Sequence, residues 1–185
     1  MSVSGNRNSI KPGFLYTDEE RRRRDETVWT LVQGVLAPVQ FVVFLISLAL
    51  IVVFLISGEM QGAAELSVVI KTLTLYAIMI TGSIWEKEVF GCYLFARPFF
   101  WEDVFSMLVL ALHTAYLAAL FTEALTANQL MALALAAYAT YVVNAGQFVW
   151  KLRLARLDQT ARKTGLESGV RSAGVSDLQI AGGSQ

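Results

Sequence analysis

Four long apolar stretches, 29–57, 66–85, 104–121 and 130–150, fill the middle of this chain and are nearly free of charge. Each approaches or exceeds the ~20 residues that a helix needs to cross a hydrocarbon core. Inside a bilayer there is no water to bond the backbone, so a spanning segment must satisfy its own N–H and C=O groups, as a helix does. The period-2 alternation of a membrane barrel strand is absent. Hydrophobic residues make up 55% of the 185, and mean hydropathy is +0.52. That is too apolar for an ordinary soluble domain. The expected fold is all-α: a polytopic membrane protein with four transmembrane helices, solvated by the lipid bilayer.

The charges sit at the edges of these stretches. Fifteen Lys and Arg balance fifteen Asp and Glu, and a net charge of zero gives no basis for nucleic-acid binding. They crowd into 18–26, 86–103 and 151–171. Arg21, Arg22, Arg23 and Arg24 precede the first stretch, and Lys151, Arg153, Arg156, Arg162 and Lys163 follow the fourth. Lys87 and Arg97 lie in the long central connection, whereas 58–65 and 122–129 carry no Lys or Arg. The positive-inside rule then puts both termini and the central connection in the cytoplasm.

Residues 1–16 are polar and lack an apolar core followed by a small-residue cleavage site, so no signal peptide is expected, only a flexible tail. Thr17 with Glu20 three positions on reads as a capping box. A surface helix is expected to start there and run through the four arginines. Pro38 inside the first stretch removes a backbone donor and predicts a kink. Residues 158–185, rich in Gly, Ser and Ala, are expected to be a mostly disordered tail. That leaves 17–157 as the four-helix domain. One cysteine, Cys92, excludes an internal disulfide, and with one histidine, His113, no metal-ligand spacing exists. No metal or cofactor of the protein's own is expected.

Polar residues inside the spans narrow the search for function. His113 falls in the middle of the third span, and Glu102 lies about three helical turns earlier on nearly the same face, with Ser106 and Val109 between them. His113 reads either as a metal ligand or proton carrier, or as an interhelical hydrogen bond. Tyr141, Asn144, Gln147 and Lys151 form one stripe on the fourth span, fit for polar glue between helices or for substrate contact. Gln33 and Gln40 are two turns apart and are expected to share the interior of the first span. Lys71 is expected to snorkel to the outer interface. Two stripes of small residues, Ala111, Ala115, Ala118 and Ala132, Ala136, Ala139, are expected to let helices pack closely.

The densest chemistry lies where the second and third spans turn around. Glu86, Glu88, Glu102 and Asp103 stand there with Lys87, Arg97 and the aromatics Trp85, Phe90, Tyr93, Phe95, Phe99, Phe100 and Trp101. Antiparallel helix ends could bring Glu86 near Glu102. Close carboxylates in an apolar setting suit a proton donor working at cellular pH. The plainer reading is solvated interface charge, paired with Lys87 and Arg97. The aromatics fit a membrane interface or a flat conjugated ligand equally well.

At these residues the sequence resembles the 3-vinyl bacteriochlorophyllide hydratases of bacteriochlorophyll biosynthesis. The resemblance covers about 16–157. It is carried by Arg21-Arg22-Arg23-Arg24-Asp25, Trp29-Thr30-Leu31-Val32-Gln33-Gly34-Val35-Leu36-Ala37-Pro38, Ile84-Trp85-Glu86-Lys87, Phe99-Phe100-Trp101-Glu102-Asp103, Leu112-His113-Thr114-Ala115-Tyr116 and Ala137-Tyr138-Ala139-Thr140-Tyr141. It implies a cofactor-free hydration in the inner membrane, cytoplasmic or intracytoplasmic, of an anoxygenic phototroph. Water adds across the 3-vinyl group of a chlorophyllide-type macrocycle, which carries its own magnesium, to give a 1-hydroxyethyl group.

That chemistry suits acid-catalysed addition, with Glu86 and Glu102 as candidate acid and base and Asp103 in reserve. His113 would bind the central magnesium or position water. Lys87 or Arg97 would pair with the substrate's propionate, and Trp85, Trp101, Tyr141, Asn144 and Gln147 would line the pigment. A homo-oligomer, or a complex with other enzymes of the pathway, would enlarge the small volume that four spans enclose. The competing readings are a membrane tetrapyrrole-binding or assembly protein without catalysis, and a small transporter or scaffold subunit.

Overall fold

The computed structural model describes residues 15–181, with side chains through 157 together with that of Thr160. Five helices follow one another: α1 (Asp18–Glu26), α2 (Val28–Ser57), α3 (Gln61–Phe90), α4 (Phe100–Phe121) and α5 (Ala127–Ala181). The fold is all-α, as expected. Four segments are long and apolar enough to cross a membrane: α2, α3, α4 and Ala127–Leu157 of α5.

Local chemistry sets the boundaries. The Thr17 N–H donates to Glu20 Oε2 at 2.7 Å and the Glu20 N–H donates to Thr17 Oγ1 at 3.2 Å, closing the expected capping box at the start of α1. Helix α1 buries none of its own residues. It is tied down by Arg23 Nη1, which donates to the Val89 carbonyl at 3.3 Å, and by a hydrogen bond from Thr27 Oγ1 to Glu88. Thr27 then caps α2, accepting from the Trp29 N–H at 3.4 Å. Gly91 ends α3 at φ 84, a left-handed conformation that a residue without Cβ adopts freely. Pro38 lies within α2, which runs unbroken past it.

Two helical hairpins make the bundle. Helices α2 and α3 pack extensively, as do α4 and α5, while α3–α4 and α2–α5 meet more lightly. The inner stripe of α2 is Gln40, Phe44, Ser47, Ile51 and Phe54, at alternating spacings of four and three. Phe44 packs on Tyr138 and Tyr141 with ring centroids 5.2 and 5.0 Å apart. Ser47 Oγ bonds Ser67 Oγ at 2.6 Å and the Tyr138 hydroxyl at 2.5 Å, joining α2, α3 and α5. At most 28% of the most apolar window of any span is buried inside the protein. The remaining apolar side chains face outwards, where lipid is their natural solvent.

Two expectations change here. Lys71 does not snorkel: it is fully buried, its Nζ 3.8 Å from the Tyr141 ring centroid. Its neighbours at one-turn spacing, Val68 and Leu75, are inner-face residues, so Lys71 is carried inward with them. The alanines of both small-residue stripes, Ala111, Ala115, Ala118, Ala132, Ala136 and Ala139, are exposed, and Ala134 and Ala137 pack instead. Lipid is as apolar as alanine, so nothing drives alanine inward. Hiding Ser106, His113 and Glu102 from lipid does. The backbone of α5 is helical to Ala181; its side chains beyond 157, Thr160 apart, lie outside the described residues. Of the N-terminal tail, 1–14 lies outside them too, while Tyr16 is buried and stacks on Phe90 at 5.8 Å.

Candidate active site

The last turn of α3, the connection 91–99 and the first turn of α4 build one site. Two successive amides of the connection point at carboxyl groups from different helices. The Phe95 N–H donates to Asp103 Oδ2 at 2.7 Å, and the Ala96 N–H donates to Glu86 Oε2 at 3.1 Å. The two amides thereby hold the Glu86 and Asp103 carboxyl groups close enough to interact electrostatically. Phe95 reaches this arrangement with φ 61, a conformation that side-chain-bearing residues rarely adopt. Both acids are buried, with 5% and 3% exposure.

Glu86 therefore meets Asp103, where Glu102 was the expected neighbour. Successive helical residues project about 100° apart. With Asp103 aimed at α3, Glu102 turns towards α5. There Glu102 Oε1 lies 3.4 Å from Lys151 Nζ, and Glu102 Oε2 has no hydrogen-bond partner among the described residues. Lys151 also donates to the Pro98 carbonyl and lies 5.7 Å from the Phe99 ring centroid. The cation beside Glu102 is thus Lys151. Lys87 donates to the Gly91 carbonyl at 3.0 Å and lies over Tyr93, and Arg97 is exposed.

Phe99 is the floor of the site. It is 6% exposed and meets Trp85, Phe90, Tyr16 and Phe148 at centroid distances of 5.7 to 6.4 Å. Trp85 Nε1 donates to Thr30 Oγ1 at 2.9 Å, so this ring is fixed within the protein. Trp101 is 67% exposed and packs edge-on against Phe100. Cys92 borders the site, and burial, with the nearby Glu86 and Asp103 carboxylates, pushes its thiol pKa up. It stays a thiol at neutral pH.

Deeper in the bundle, Asn144 Nδ2 donates to Ser106 Oγ at 2.9 Å, pinning α5 to α4 one turn below Glu102. Gln147 lies between Asn144 and Lys151 on the same stripe, and Asn144 Oδ1 and Gln147 Oε1 have no partner among the described residues. His113 is fully buried and stacks on Tyr138 at 5.8 Å. Its Nδ1 is 2.8 Å from the Val109 carbonyl, which can only accept, so Nδ1 carries a hydrogen. In the neutral ring Nε2 then offers a lone pair, and it has no partner among the described residues. Among those residues no group of three or more His, Cys, Asp or Glu is placed to hold a metal ion.

The site thus holds a buried acid pair, a separate acid–lysine pair and a bundle of aromatics. The profile of the 2-vinyl bacteriochlorophyllide hydratase (BCHF) family matches residues 16–154. The chain belongs to that family. Its vinyl group is numbered 2 in the family's description and 3 in the reading above. The 2-vinyl bacteriochlorophyllide hydratase of Cereibacter sphaeroides is 66% identical over 147 residues, covering 80% of this chain and 91% of the relative. That of Rhodobacter capsulatus is 62% identical over 160 residues, covering 85% and 93%. No solved structure matches the chain. The protein is a hydro-lyase that hydrates the vinyl group of bacteriochlorophyllide in bacteriochlorophyll biosynthesis. Hydration takes the place of the carrier and transporter readings.

What sequence reasoning missed was the backbone of the connection and the role of Lys151. The four-residue step from Gln147 to Lys151 already put the lysine on the polar stripe. Nothing in the sequence announced that the Phe95 and Ala96 amides would bind the acids.

Proposed function

We propose that hydration occurs between the Glu86–Asp103 pair and Glu102, with the pair as proton donor and Glu102 as base. The observation that carries this is two buried carboxyl groups, from different helices, held together by the successive amides of Phe95 and Ala96. Two close carboxylates repel one another in a buried site, which favours a proton held by the pair. That proton goes to the terminal vinyl carbon, taking the π pair with it. Positive charge develops on the carbon beside the ring, where conjugation spreads it. Water bonds to that carbon and gives its proton to Glu102, and transfer back to the pair resets the site. Lys151 steadies the Glu102 carboxylate between turnovers.

His113 serves as the ligand for the substrate's magnesium, through its Nε2 lone pair. Ten positions separate it from Asp103, about 15 Å along the helix. The macrocycle then stands along the bundle axis, between the two lightly joined hairpins. Arg97, exposed at the rim, suits the propionate, with Lys87 beside it. Both termini and the 91–99 connection face the cytoplasm of a bacterial inner membrane, and residues 17–157 form the working unit. Glu102→Gln, assayed in membranes with a vinyl chlorophyllide by absorption and mass, should abolish turnover while the protein stays inserted. Full activity in that variant would sink the assignment.

A further inference from the structure

Resting on that acid–base reading, we propose that Asn144 and Gln147, with Glu102, form the subsite that holds the attacking water and fixes the face from which it adds. Three oxygens along the α4–α5 seam have no hydrogen-bond partner among the described residues: Asn144 Oδ1, Gln147 Oε1 and Glu102 Oε2. Asn144 is 7% exposed and Glu102 6%. A buried oxygen without a donor is costly, and such groups are ordinarily matched by water or ligand.

The chemistry of the reactants narrows what the match can be. All three oxygens accept. The macrocycle has metal on its ring nitrogens, and its carbonyl groups are acceptors as well. Water is the reactant with hydrogens to offer.

The three oxygens also lie along one seam, which two cross-helix contacts fix. Asn144 is held by its Nδ2 bond to Ser106, one turn along α4 from Glu102. Lys151 is held by its Glu102 and Pro98 contacts. Gln147 lies between these two fixed points on the same face of α5. A water there can donate one hydrogen to Gln147 or Asn144 and the other to Glu102 Oε2, leaving a lone pair for carbon. As its C–O bond forms, the proton bound to Glu102 transfers and the other stays as the product hydroxyl hydrogen. Atoms and charge balance with the proton delivered by the Glu86–Asp103 pair. Because the acceptors line one seam, between α4 and α5, water approaches one face of the vinyl group, and one stereoisomer of the hydroxyethyl product is favoured.

The decisive variant is Gln147→Met, which keeps length and removes the oxygen. In the full-length protein in lipid nanodiscs, supplied with a vinyl chlorophyllide, kcat should fall roughly tenfold, the scale of one hydrogen bond. KM for the pigment should hold, and the ratio of hydroxyethyl stereoisomers should move towards equal. Asn144→Leu should act in the same direction; since it also breaks the Ser106 bond, Gln147→Met decides. A wild-type kcat and isomer ratio in Gln147→Met would overturn the subsite, as would a raised KM with kcat unchanged. Full turnover by Glu102→Gln would instead overturn the base on which the subsite rests.

Discussion

The α3–α4 end of the bundle and its middle treat polar groups in opposite ways. At the α3–α4 turn each buried acid has a partner from another part of the chain: Glu86 takes the Ala96 amide, Asp103 the Phe95 amide and Glu102 the Lys151 amine. In the middle, Lys71 Nζ, His113 Nε2, Gln40 Nε2 and the Tyr116 hydroxyl are buried without hydrogen-bond partners among the described residues. The first arrangement fixes geometry, because breaking any pair leaves a buried charge alone. The second leaves bonding capacity open, which suits a site for polar groups brought by a ligand.

Removing one partner at the tight end should cost most. Lys151→Met strands the Glu102 carboxylate and should destabilise by about 3 kcal/mol. Thermal unfolding in detergent measures it, and an unchanged midpoint would show that Glu102 is not held as a buried ion. Next comes Asp103→Asn, which replaces the carboxyl pair by a carboxyl and an amide. Turnover should drop about a hundredfold, the scale of general acid catalysis, with the protein still inserted; product mass per unit time reads it directly. Ser47→Ala removes the hydroxyl that joins α2 to Ser67 and Tyr138, and should lower stability by about 1–2 kcal/mol with little loss of pigment turnover. The smallest effect belongs to the middle. Lys71→Met discards no hydrogen bond and fills similar volume, so the thermal midpoint should hold or rise. A clear fall would mean that the Tyr141 contact stabilises Lys71 in the folded protein.

Much of the fold was legible in advance because its causes are local or compositional. Helix number, the Thr17–Glu20 capping box and the polar face of α4 follow from span length, side-chain chemistry and helical period. The site was legible in kind and misread in pairing. Glu86, Glu102 and Asp103 were all visible as buried-acid candidates, yet which two would meet depends on the rotation of α4 about its axis. The alanine stripes misled for a related reason. In water, small apolar residues go inside; in lipid they have no such preference, and the polar face takes the interior.

The sequence by itself determined a four-span helical protein of the vinyl bacteriochlorophyllide hydratase kind, with its acids and aromatics gathered at one turn. Those features reside in the order and type of residues. Only the tertiary structure decided that Asp103 joins Glu86, that Glu102 turns to Lys151, and that Lys71 lies beneath Tyr141. Each depends on how far a helix is rotated and where a connection's amides end up, and a 100° step per residue makes neighbours in sequence face different partners in space.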